Sequence, residues 1–115
     1  MIALLAAMVI GALAATLRWM LSHIILAPWA VLLVNVVGSG VGGAVLGLAQ
    51  RGDLSGDIRL VILGGLCGGL TTFSTWSVES IQLVLGGKWR IAALSVGANL
   101  VLGVAAAALA YLVAR

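Results

Sequence analysis

The sequence predicts an all-α membrane protein of four transmembrane helices, the third broken in mid-membrane, assembled as an antiparallel dual-topology dimer. Three observations lead there. First, hydrophobic residues make up 63% of the 115 positions, charged residues 8%, and the mean hydropathy is +1.29. At roughly 20 residues per span this length holds four spans and no separate domain. Second, the third apolar stretch carries Gly64 to Ser77 (GGLCGGLTTFSTWS) where leucines would be expected. Third, the basic residues are balanced. With four spans Arg51, Arg59 and Arg115 fall on one side and Arg18, Lys88 and Arg90 on the other. Lys and Arg bias sets orientation, so a tie predicts insertion both ways round, with oppositely oriented copies related by a two-fold axis in the membrane plane. So small a chain has little left to pack on if its helices surround a pore alone, which also favours a homo-oligomer.

The first span covers residues 2–17 and carries Ala7, Gly11 and Ala15 at four-residue spacing, a stripe of small residues that lets another helix approach closely. A retained helix is expected, because the stretch lacks the basic start and cleavage site of a signal peptide. Arg18 and Trp19 close it, as a snorkelling arginine beside an interfacial tryptophan or as part of an ion vestibule. His23, in the loop that follows, has no neighbouring ligand and does not suggest a metal.

Pro28 sets the start of the second span, residues 29–49, since proline suits the first turn of a helix. Asn35 is the only strongly polar side chain in its first half and needs a partner in hydrocarbon: it either bonds a neighbouring helix or faces a polar pathway. Gly38, Gly42, Gly43 and Gly47 indicate a very close helix contact, of the kind a subunit interface makes. Gln50 to Asp57 is a solvated, turn-rich linker.

The third span, residues 58–85, holds the break. Each glycine weakens a helix by about 1 kcal/mol against alanine, and hydroxyls compete for backbone hydrogen bonds, so Gly68 to Thr75 is where the helix is expected to unwind. Freed carbonyls at that depth need protein or a water-filled cavity around them, which makes the break a candidate ion site. Cys67, the lone cysteine, reads as a small core residue and can form no intrachain disulfide. Gly86 to Arg90 forms a short basic turn. The fourth span, residues 91–113, places Ser95 and Asn99 one turn apart on one face, as rungs of a polar track or as hydrogen bonds between helices.

Six Lys and Arg against three Asp and Glu give a pI near 10.0; this scattered excess suits lipid headgroups and not nucleic acid. No nucleophile and base, metal cluster or phosphate loop points to an enzyme.

The motifs Val34 to Gly38 (VNVVG) after Pro28, Gly68 to Trp76 (GGLTTFSTW) and Arg18-Trp19 together resemble those of the Fluc (CrcB) fluoride channel family over nearly the whole length. The family's corresponding patterns are VNxxG, GGxTTFSTF and Arg-Tyr. The resemblance implies an antiparallel dimer in the cell membrane that exports fluoride and so relieves its toxicity. It implies Gly68 and Thr71 as backbone ligands of a structural sodium ion at the dimer two-fold. It further implies Phe73 as an aromatic edge on the anion path, Asn35 as a donor to fluoride, and Ser74 and Thr75 as hydroxyls on the same route. Ring edges carry partial positive charge and can pass a small anion without trapping it.

This chain departs from the family pattern at several places. Trp76 stands for a second phenylalanine, Val31 for a threonine, Gly40 for a frequent phenylalanine, and Ser95 and Asn99 for a pair often Tyr and Ser. These changes admit a second reading, one subunit of a heterodimeric channel with an impaired pore. A proton-coupled exporter of the small multidrug type is the remaining alternative; its first-helix glutamate is absent and Glu79 is the only intramembrane acid.

Overall fold

The computed structural model describes residues 1–115. Its helices are α1 (Ile2–Ile24), α2 (Trp29–Gln50), α3 (Gly56–Arg59), a π-helix π1 (Leu60–Cys67), α4 (Gly68–Leu70), α5 (Phe73–Leu85) and α6 (Trp89–Ala114). Elements α3 to α5 run on as a third span, Gly56–Leu85, so four helices are long and apolar enough to cross a membrane. Their outer faces carry exposed Leu, Val and Ile, and only 17 of 115 residues are buried. That is the pattern of a surface meant for lipid tails, where burial of apolar side chains is not what drives helices together.

Close packing of small residues takes over that task. Between α1 and the third span, a Cβ added to Gly65 would stand 2.7 Å from the Ala7 carbonyl oxygen, and one at Gly69 would meet the Gly11 backbone. The Ala7 and Gly11 stripe therefore makes the backbone-to-backbone crossing its spacing predicts. Between α2 and α6, a Cβ at Gly47 would lie 2.6 Å from Tyr111 O, and Gly43 sits against the Ala107 backbone. Tyr111 OH donates to Gln50 Oε1 at the end of this pair. The second-helix glycines were expected to suit a subunit interface; Gly43 and Gly47 instead press on α6 of the same chain, which runs parallel to α2 and fills their groove. A small core of Ala14, Val34 and Leu70, with Leu21 and Leu66 against it, ties the two halves together.

Helix ends differ from the sequence expectation at four places. α1 passes Leu17 and runs to Ile24, so Arg18 and Trp19 sit within the helix and His23 in its last turn. Nothing in residues 18–24 breaks a helix before Pro28 removes a donor. The third span starts at Gly56, where the Ser55 hydroxyl accepts from Ile58 N at 3.3 Å and caps the first turn. Trp89 and Arg90 belong to the first turn of α6, and the turn itself is carried by Gly87 at φ +78. Most significant, unwinding is confined to Thr71 (φ −81, ψ 154) and Thr72 (φ −149, ψ 123). Gly68 to Leu70 stays helical, Phe73 to Thr75 starts α5, and the preceding glycines loosen into π1 instead of unwinding. π-helical turns of this kind are rare and commonly sit at functional sites.

Candidate functional site

The part-buried side-chain hydrogen bonds between helices centre on Asn35 and the two extended residues. Two consecutive β-region residues interrupt the i→i−4 ladder, so their backbone groups and those of the preceding turn must find other partners. Asn35, projecting from α2, supplies them. Thr72 N–H donates to Asn35 Oδ1 at 2.8 Å, and Asn35 Nδ2 donates back to Thr72 O at 3.1 Å. The same nitrogen donates to Asn99 Oδ1 on α6 at 3.0 Å, and Asn99 Nδ2 donates to Ser95 O at 2.8 Å. Each amide faces one group that can only donate or only accept, so neither side chain can be turned over without setting like against like.

The hydroxyls of the break bond locally. Thr71 Oγ1 donates to the Cys67 carbonyl at 2.8 Å, closing the end of α4. Thr72 Oγ1 accepts from Thr75 N at 3.2 Å and lies 3.3 Å from Ser74 Oγ, which makes Thr72 the N-cap of α5. Two donors are thereby diverted. In an unbroken helix Thr72 N–H would serve the Gly68 carbonyl and Thr75 N–H the Thr71 carbonyl; here they serve Asn35 and the Thr72 hydroxyl.

On one side of Thr72 lies a groove of about 290 Å³ walled by Asn35, Ser39, Thr71, Phe73, Trp76 and Asn99. Phe73 is 75% exposed and meets Trp76 edge to face, with ring centroids 5.3 Å apart. On the other side a cavity of about 190 Å³ is walled by Arg18, Trp19, Ser22, Val31 and Thr75. Thr72 is the wall common to both.

Of the residues singled out from sequence, Asn35, Phe73, Trp76 and Asn99 thus share one groove, and Arg18 and Thr75 the opposite cavity. Ser74 is exposed beside the Thr72 hydroxyl. Ser95 does not join them: it is fully buried, lines neither space, and offers only its carbonyl to Asn99. Its hydroxyl is buried among the helices without a hydrogen-bond partner. Glu79, one turn beyond Trp76, has a buried carboxylate oxygen without a partner and lines a separate cleft with Gln82 and Lys88. Two residues were missed. Ser39 lies one turn from Asn35 on α2, so the i,i+4 rule applied to Ser95 and Asn99 would have found it. Thr72 was overlooked because its role depends on where the break falls within the hydroxyl run.

The architecture defines a multi-pass α-helical membrane protein with a polar site built around a broken helix. The family model of the CrcB-like protein, Camphor Resistance (CrcB), matches residues 5–111, and the chain belongs to this family. Among its relatives, the fluoride-specific ion channel FluC of Methylobacterium radiotolerans is 40% identical, over 93% of this chain and 80% of the relative. The protein of the same name from Thermus thermophilus is 39% identical over 88% of this chain and 86% of the relative. That of Shewanella frigidimarina is 41% identical over 80% and 79%.

Proposed function

We propose that the chain forms a fluoride-selective ion channel in the cell membrane, working as an antiparallel dual-topology dimer that lets cytoplasmic fluoride leave down its electrochemical gradient. The observation that carries this reading is the groove at the break, where amide and hydroxyl groups stand beside an aromatic edge, in a chain whose relatives bear the name of fluoride-specific channels. Fluoride is small and strongly hydrated, so an entry path must replace its water with donors while leaving it free to depart. Arg18 raises the local anion concentration in the opposite cavity, Thr75 continues the path there, and Ser74 flanks it. Phe73 and Trp76 line the groove, where their ring edges would meet the anion.

Gly68 and Thr71 would hold a structural Na⁺ through their backbone carbonyls, with the same pair from a second, inverted copy. The fit is supported by the two diverted donors, which leave these two carbonyls without their usual helical partners. It is also supported by the donor set itself, since carbonyl oxygens suit a hard monovalent cation and no cluster of His, Cys, Asp or Glu competes. Such an ion supplies a fixed positive charge near the path. A second reading, one subunit of a heterodimer with one impaired pore, is favoured by Ser95, whose withdrawal from both cavities shortens the polar track.

Purified protein in fluoride-loaded liposomes, with potassium movement balancing charge, is expected to release fluoride at once. Silence from folded protein rejects the homodimeric channel and leaves the heterodimer, to be tested by adding candidate partners. Replacing Na⁺ rigorously by a large organic cation is expected to lower both dimer stability and flux; equal values of both reject the sodium site.

A further inference from the structure

The seam between α5 and α6 holds a second groove, which shares no wall residue with the one beside Thr72. It has a volume of about 500 Å³ and is walled by Ile81 and Val84 on α5 and by Trp89, Ala92 and Val96 on α6, with open space left over Gly97. From Trp89 to Gly97 it runs roughly 12 Å along the helix, at about 1.5 Å per residue. Its one hydroxyl, that of Ser80, is committed to Trp76 O at 2.7 Å, so beyond the Trp89 indole no side-chain donor is left in the wall. α5 has no fully buried residue, and Ile81 and Val84 are 60% and 49% exposed. An apolar occupant of the groove would complete the packing of this helix.

The mouth of the groove is basic. Trp89 opens it, the Arg90 guanidinium lies 5.4 Å from the centroid of the Trp89 ring, and Lys88 precedes both. Both cations are exposed, and the first turn of α6 contains no acid. Lys88 also borders the cleft that holds Glu79, without a salt bridge to it; the chain's one salt bridge joins Arg51 to Asp53 at 2.9 Å, at the opposite end of the spans. Charge decides what fits this mouth. An inverted second copy would bring Arg51, Arg59 and Arg115 to the same leaflet against Asp53, which Arg51 already holds, and Asp57, so that its end is also net positive. An upright copy would bring Lys88 and Arg90 again. We propose that the groove binds an anionic phospholipid: the phosphate meets Arg90 and Lys88, Trp89 lies at the level of the glycerol, and one acyl chain fills the seam between α5 and α6. This holds whether or not the chain conducts fluoride.

The chain has four tryptophans, and the fluorescence lost in Trp89→Phe isolates the signal of Trp89. The protein is reconstituted into equimolar vesicles of phosphatidylcholine and phosphatidylglycerol, with bromine near the headgroup end of the acyl chains of one lipid or of the other. Brominated phosphatidylglycerol is expected to quench Trp89 more strongly. Each Lys or Arg near an anionic surface is worth about fivefold in affinity, so the expected enrichment beside Trp89 is about tenfold or more. In the Lys88→Gln/Arg90→Gln double variant the preference is expected to disappear; both side chains are exposed, so the fold is kept. Equal quenching by the two lipids overturns the proposal, as does a preference that survives in the double variant. Quenching by neither lipid overturns it as well, since the groove is then covered by a second copy of the chain.

Discussion

Replacing Thr72 by valine tests whether the hydroxyl at the break holds α5 in place. Thr and Val have nearly the same shape, and both are at ease in the extended backbone that Thr72 adopts (φ −149, ψ 123), so packing and conformation change little. Both backbone bonds to Asn35 also survive. What is lost is the acceptor for Thr75 N–H, at 3.2 Å, and the contact with Ser74 Oγ. Loss of an N-cap hydroxyl costs about 0.5–2 kcal/mol, and a buried donor left without a partner about 1–3 kcal/mol. These describe the same event and are not summed, so the expected destabilisation is about 1–2 kcal/mol, a five- to thirtyfold fall in the folding equilibrium. Reversible denaturation in detergent measures the first quantity, and hydrogen exchange at the Thr75 amide reports the cap directly. Unchanged stability together with unchanged Thr75 exchange would refute the capping argument, whatever happens to flux.

Other substitutions probe the packing, the path and the topology. Gly65→Ala drives a Cβ to 2.7 Å from Ala7 O and is expected to cost about 1–3 kcal/mol, whereas Gly97→Ala, with open space around it, is expected to stabilise by up to about 1 kcal/mol; denaturation of the two variants side by side checks the sign of each. Phe73→Ile removes an aromatic edge from a side chain that is mostly exposed within the chain, and should abolish fluoride release in liposomes without unfolding the protein. Asn35→Asp should also abolish flux, since a carboxylate has no N–H for the Thr72 carbonyl or Asn99. A tag after Arg115 should be labelled from both faces of the membrane, and labelling from one face alone refutes insertion in both orientations.

The four spans were plain in the sequence because hydropathy needs no tertiary information. So was a close approach of some helix to α1, since Ala7 and Gly11 expose backbone whatever neighbour arrives; that this neighbour is the third span is seen only in the packing of Gly65 and Gly69. The helix break was legible as a region but not as two residues. Glycines at 64, 65, 68 and 69 lower helix stability alike, and what decides between π-helix and unwinding is the Asn35 amide arriving from another helix to take Thr72 N–H and Thr72 O. For the same reason the sequence paired Ser95 with Asn99. Spacing puts them on one face, but only side-chain length and the position of α2 decide that Asn99 enters the groove and Ser95 stays inside the bundle.

Two extended residues in a chain otherwise helical also have a mechanical consequence. α1 is seated on π1 and α4, while α2 is seated on α6 and α5 leans on α6. The protein thus holds two packed sets of helices that meet where α2 touches π1, α1 and α4 and at the Ala14, Val34 and Leu70 cluster, with the extended Thr71-Thr72 link and the Asn35 amide between them. When bilayer thickness changes, continuous helices tilt as rods. Here the third span can fold about Thr71 and Thr72, so shear between the two sets is concentrated at that link. A change in membrane thickness is therefore expected to act first at the groove beside Thr72.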